Sequence, residues 1–118
     1  MINKERKRER FLRDPLPVRL AGLAADLARV SSSARHESGT ESVAMMLEES
    51  QYFIEWTAAV VEPEIAGELV DIQLLVALWR KAWPEAQLSR TQRTLLSVQA
   101  KKWSDQILRY SEVECESS

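Results

Sequence analysis

Glycine, proline, cysteine and histidine are all scarce in this chain. Among 118 residues there are three glycines and four prolines. That is too little turn material for the many tight reversals of an all-β fold. The single cysteine, Cys115, cannot form an internal disulfide, so nothing ties the chain to an oxidising compartment. The single histidine, His36, falls in a segment that reads as a loop. The Glu-x-x-His pairs that hold metals inside helical bundles are therefore missing. No apolar run reaches the roughly 18 uninterrupted residues of a membrane span. Glu68, Asp71 and Arg80 break up the best candidate. The N-terminus carries charge but no apolar region of the secretory kind. The expectation is a cytoplasmic chain with no membrane contact.

Recognisable chemistry is equally thin. The sequence contains neither a G-x-x-x-x-G-K-[ST] phosphate cradle nor a G-x-G-x-x-G turn. No serine lies in a nucleophile-elbow pattern. Cys115 lies far from His36 in the chain, so its thiol lacks an obvious orienting base. No catalytic residue, metal ligand or cofactor is assigned on these grounds.

What is present is helical periodicity. Hydrophobic residues make up 45% of the chain and charged ones 29%, an ordinary soluble balance. The longest apolar stretch is Glu62–Trp83, where Ile65, Leu69, Ile72, Val76, Trp79 and Trp83 share one helix face. Leu75 widens that face. Val70, Leu74, Ala77 and Leu78 form a second strip, which predicts cover on more than one side. This segment is expected to be the rod around which the others pack. Pro63 suits its first turn and Pro84 is expected to stop it just after Trp83.

The remaining elements follow in order. Asp14 caps and Pro15 opens a helix with a stripe of Leu16, Leu20, Leu23, Leu27 and Val30. Val18, Gly22 and Ala25 share a slim flank that suits close approach of another helix. A polar loop follows Ser31–Ser33. Ser38 or Thr40 caps a helix running to about Val61, Ser38 with Glu41 fitting a capping box, with Val43, Met46, Leu47, Phe53, Ile54, Thr57 and Val61 on its stripe. After a loop over 84–88, Ser89 with Gln92 opens a last helix carrying Leu95, Leu96, Trp103, Ile107 and Tyr110. The predicted fold is all-α: four helices, up-down-up-down, over residues 14–110.

Charge is unevenly placed. Net charge is −2, yet residues 1–13 hold six bases (Lys4, Arg6, Lys7, Arg8, Arg10, Arg13) and two acids, a balance of +4. This stretch reads as a basic N-terminal arm, able to form a short helix whose end Phe11 and Leu12 would pin to the body, and residues 111–118 read as a loose acidic tail.

Three functions are compatible with these features. The first is a non-catalytic interaction module, a homodimer or an adaptor for another protein, anchored by Tyr52, Trp56, Trp79 and Trp83. The second is a nucleic-acid-associated regulator using the arm 1–13. The third is a small-ligand binder or enzyme with an interhelical carboxylate pocket. Glu49 and Glu68 fall within or beside apolar strips and are its candidate buried acids.

The segments DPLPVRLAGLAADLARVSS, LEESQYFIEWTA, ELVDIQLLVALWRKAW and AKKWSDQIL resemble a small all-helical protein family of cyanobacteria with no assigned function. The likeness covers most of residues 14–109. It implies an intracellular bacterial protein and transfers no catalytic or binding residue.

Overall fold

A computed structural model describes the backbone of residues 4–117, with side chains to Val113. It contains five α-helices: α1 (Lys4–Arg13), α2 (Leu16–Ala34), α3 (Thr40–Ala58), α4 (Pro63–Ala86) and α5 (Arg90–Ser117). A single 3-10 turn, Glu37–Gly39, joins α2 to α3. The described residues contain no strand.

The stripes read from the sequence supply the core, except that Leu75 and Leu95, placed on those faces, are exposed. Leu20, Leu23, Leu27 and Val30 of α2 are fully buried, as are Val43, Leu47 and Ile54 of α3. Ile65, Leu69, Ile72, Val76 and Trp83 of α4 and Leu96, Trp103 and Ile107 of α5 complete it.

The central element is α2, not α4, which corrects the expectation placed on Glu62–Trp83. Helix α2 packs extensively on both α5 and α3; α4 packs mainly on α3 and meets α5 sparsely. The molecule measures 43 × 28 × 19 Å. A thickness of 19 Å accommodates about two helix layers at 8–10 Å between axes, so each helix keeps one outer side. The outer side of α4 is the strip Val70, Leu74 and Leu78, all exposed.

Contact between α2 and α5 is close because serines line it at seven-residue intervals. Ser97 Oγ donates to the Ser31 carbonyl at 2.7 Å, Ser104 Oγ to the Ala24 carbonyl at 2.7 Å, and Ser111 Oγ to the Pro17 carbonyl at 2.9 Å. Donors and acceptors both step by seven, in opposite directions, as two antiparallel helices require. Ser31 Oγ returns a bond to the Ser97 carbonyl at 2.7 Å. The Val18–Gly22–Ala25 flank is not this interface. Those three residues face away from α5, and all three are exposed.

Boundaries differ from expectation at five places. Pro15 rather than Asp14 occupies the position before α2, without a side-chain cap. Helix α3 starts after Gly39, also without a side-chain cap, and ends at Ala58. Gly39 is required there because a Cβ would overlap the Ser33 carbonyl oxygen. Pro84 lies inside α4, which continues to Ala86. In the last turn a proline removes one backbone bond and the helix can still close, here through Gln87 N–H to the Trp83 carbonyl at 2.9 Å. The expected loose tail 111–118 is helical as far as Ser117. Its glutamates favour helix, and neither glycine nor proline interrupts them.

Residues 4–13, expected as an arm, form α1. Phe11 is buried and stacks on Phe53 with ring centroids 4.2 Å apart, while Trp56 tilts against both. Lys4 Nζ lies 4.5 Å above the Tyr52 ring. Met1 to Asn3 and Ser118 fall outside the described residues.

Candidate functional sites

Two places stand out on this frame: an uncovered apolar face along α4 and α5, and a charged cleft between α1, α2 and α3.

The apolar face results from the two-layer arrangement. Leu74 is 62% exposed and Leu78 55%, values far too high for residues on the flank of a closed bundle. Val70 and Leu75 are exposed beside them on α4, and Leu95 and Val98 are exposed on α5. Scattered apolar residues on a surface are ordinary, but a run on adjoining helices is a patch. Between the helices is a shallow groove of about 260 Å³, lined by Leu75, Leu78, Trp79, Ala82, Gln92 and Gln99. Trp79 Nε1 donates to Gln99 Oε1 at 2.7 Å across its floor. The Tyr110 hydroxyl bonds Glu68 nearer the other end.

The two helices are oppositely charged. Helix α4 carries Glu64, Glu68, Asp71 and Glu85 against Arg80 and Lys81. From Arg90 to Tyr110, α5 carries Arg90, Arg93, Lys101, Lys102 and Arg109 against Asp105.

The aromatic residues expected as partner anchors are separated by the fold. Trp83 belongs to the core, its indole N–H bonded to the Thr40 carbonyl at 2.8 Å. Tyr52 and Trp56 stack with centroids 5.8 Å apart, half-buried beneath α1. Trp79 alone of the four lines the α4–α5 groove.

The charged cleft encloses about 290 Å³. Phe11 and Phe53 supply apolar wall, Gly22 supplies open rim, and Lys7, Arg10, Arg19 and Arg29 face Asp14, Asp26 and Glu49. Lys7 Nζ pairs with Glu49, which is one of the two acids expected to be buried and is about a quarter exposed. The other, Glu68, is exposed and lies away from the cleft; this corrects its placement as a buried acid. Helical spacing put Glu68 beside an apolar strip, and that strip is the wet one.

The buried acid is Asp26, at 4% exposure. Sequence reasoning passed over it. Its signal was spacing: three residues after Leu23 and four before Val30, it falls on the stripe of α2. One carboxylate oxygen pairs with Arg29. The other, Oδ2, is buried with no donor among the described residues. Burial pushes the carboxyl up from 3.8 to about 6. The Arg29 hydrogen bond opposes that rise, and the neighbouring Glu49 carboxylate adds to it.

Of the arm residues, Lys4 and Lys7 point inward to Tyr52 and Glu49, and Arg10 lines the cleft. Arg6, Arg8 and Arg13 are exposed. No group of three or more His, Cys, Asp and Glu side chains suited to a metal occurs among the described residues. None of the described helices is long and apolar enough to cross a membrane.

Comparisons with protein-family models, with curated proteins and with solved structures return no match. The likeness to a cyanobacterial family gains no support from them, and the functional reading rests on the molecule itself.

Proposed function

We propose that this chain is a non-catalytic interaction module that pairs with a second copy of itself through the α4–α5 face. The observation that carries this reading is the exposed run Val70, Leu74, Leu75 and Leu78 beside Leu95 and Val98. About half of each side chain is already covered, so leaving the rest in water forgoes roughly 1 kcal/mol each, which a partner surface would recover in part.

A second copy is favoured by charge. Helices α4 and α5 are antiparallel, since Glu68 meets Tyr110 while Trp79 meets Gln99. A two-fold axis along the groove would set acidic α4 against basic α5 of the partner at both ends of the interface. In that arrangement Asp71 lies near the level of Arg109 of the second copy, and Leu75 and Leu78 meet its α5. The four long helices then act as a bundle whose open α4–α5 edge is closed by dimerisation.

Sedimentation equilibrium tests this. The wild type is expected to be a dimer at micromolar concentration, weakened by salt because the flanking charges attract. The double substitution Leu74→Glu with Leu78→Glu is expected to give a monomer of unchanged helicity, because both side chains already face water. A wild-type monomer across that range would reject the reading, and would leave an adaptor for a different protein as its replacement.

The nucleic-acid reading through Lys4, Arg6, Lys7, Arg8, Arg10 and Arg13 is weaker. Two of those six bases already engage Tyr52 and Glu49. It predicts salt-sensitive DNA or RNA binding that disappears when residues 1–13 are deleted.

A further inference from the structure

The cleft between α1, α2 and α3 shares no residue with the α4–α5 face, so ligand binding there can be tested independently of dimerisation. Its interior poses a specific chemical problem. Asp26 Oδ2 is buried and lacks a donor among the described residues. Glu49 lies against Asp26, so a proton on Asp26 bridges the two carboxyls; once Asp26 is ionised neither carboxylate can donate to the other. Lys7 serves Glu49 and Arg29 serves the other oxygen of Asp26. One acceptor is left over, at the bottom of a cleft open to solvent.

The wall above has a different character. Phe11 and Phe53 present stacked rings, and Val18 lies exposed beside them. Arg10 and Arg19 line the cleft as well. Arg19 uses its Nε on the Asp14 carbonyl at 3.0 Å, which leaves its two terminal nitrogens for an anion. Asp26 and Glu49, with Arg29 and Lys7 beside them, lie at one end of the apolar wall; Arg10 and Arg19, with Asp14 beside Arg19, lie at the other.

We propose that this cleft binds a small organic zwitterion of the amino-acid kind, with its ammonium donating to Asp26 Oδ2 and Glu49 and its carboxylate against Arg10 and Arg19. The volume, about 290 Å³, lies at the lower end of ligand pockets and suits a molecule of that size. An ammonium has three donors, enough to satisfy the unpaired acceptor and share Glu49 with Lys7. The apolar middle of the ligand rests on Phe11 and Phe53.

Gly22 makes the test clean. It lines the cleft, and a Cβ built on it meets nothing within 4 Å. Gly22→Leu therefore starts its side chain in open space at the cleft rim, where it narrows the cleft, and it improves helix propensity. Isothermal titration calorimetry on the full chain would use phenylalanine, leucine and 6-aminohexanoate as probes, with phenethylamine and 3-phenylpropionate as single-charge controls. At least one zwitterion is expected to bind, with each control at least about tenfold weaker, since each lacks one of two charge-assisted contacts. Gly22→Leu is expected to abolish binding at an undiminished melting temperature. Asp26→Asn is expected to weaken binding by about tenfold or more while the fold persists.

Three results would overturn the proposal. One is the absence of binding by all three zwitterions up to roughly 10 mM. The second is binding that survives Gly22→Leu. The third is phenethylamine binding as tightly as phenylalanine, which would remove Arg10 and Arg19 from the site.

Discussion

Asp26 is where one residue affects the stability of the whole chain. Its carboxyl is raised from 3.8 to about 6, chiefly because burial disfavours the charged form. A raised acid means that the native state holds a proton the unfolded chain has already released. Stability contributed by this group is therefore present below pH 4 and lost as pH rises through 6. The size of that loss is about 3 kcal/mol, the free energy equivalent of the rise. Asp26→Asn keeps the shape and cannot ionise. Chemical denaturation of both proteins from pH 4 to pH 8 is expected to show Asp26→Asn gaining on the wild type as pH rises, with most of the gain complete by pH 7. Comparing the two cancels the carboxylates that lie far from Asp26; Glu49, which interacts with it, is part of the difference. A difference that stays constant with pH would mean that folding leaves the proton affinity of Asp26 unchanged. The residue was legible in principle, since an acid three after Leu23 and four before Val30 must sit on the inward stripe. The unpaired state of Oδ2 was not legible, because it depends on where α1 and α3 place Lys7 and Glu49.

At the scale of elements, periodicity foretold which side of each helix is apolar but not how many neighbours that helix has. The buried stripe of α4 was read correctly from Ile65 to Trp83. Its second strip was read as covered, and it is wet. Sequence spacing cannot distinguish a helix enclosed on two sides from one that presents an unpaired face. The α2–α5 contact shows the converse. Ser97, Ser104 and Ser111 recur every seven residues, yet single serines look like solvent-facing positions until the opposing carbonyls of Ser31, Ala24 and Pro17 are known. Their role is both steric and polar: they let the backbones approach, and they satisfy their own hydroxyls on the opposite helix. Two substitutions separate those contributions. Ser104→Ala keeps the small size and gives up one hydrogen bond, an expected cost of about 1 kcal/mol. Ser104→Leu forces extra methylenes into the buried interface, an expected cost of about 3 kcal/mol. Urea denaturation would measure both. Equal costs would show that spacing between α2 and α5 does not matter.

At the scale of the whole molecule, α1 reconciles the basic N-terminus with the acidic body. Residues 4–13 look like a solvated charge run, and most of their surface is; the aromatic contacts of Phe11 with Phe53 and Trp56 dock the helix, with Lys7 on Glu49 and Lys4 over Tyr52. Both cationic contacts lie at a partly wet surface, where such pairs contribute less than about 1 kcal/mol. Phe11, stacked and buried, contributes about 2 kcal/mol. Docking of α1 should therefore depend on Phe11 far more than on the lysines. The six bases of this segment make it a good trypsin substrate once it leaves the body. Cleavage within residues 4–13 samples the undocked state while α2–α5 stay folded. Phe11→Ala is expected to speed that cleavage about tenfold or more, because each 1.4 kcal/mol is a factor of ten. Lys4→Met and Glu49→Gln are expected to change it less than about fivefold. The body should melt cooperatively in all three variants, since its core lies between α2, α3, α4 and α5. Cleavage that responds to ionic strength but not to Phe11→Ala would mean that charge, not the stacked rings, holds α1 in place, and the cleft beneath it would then open and close with salt.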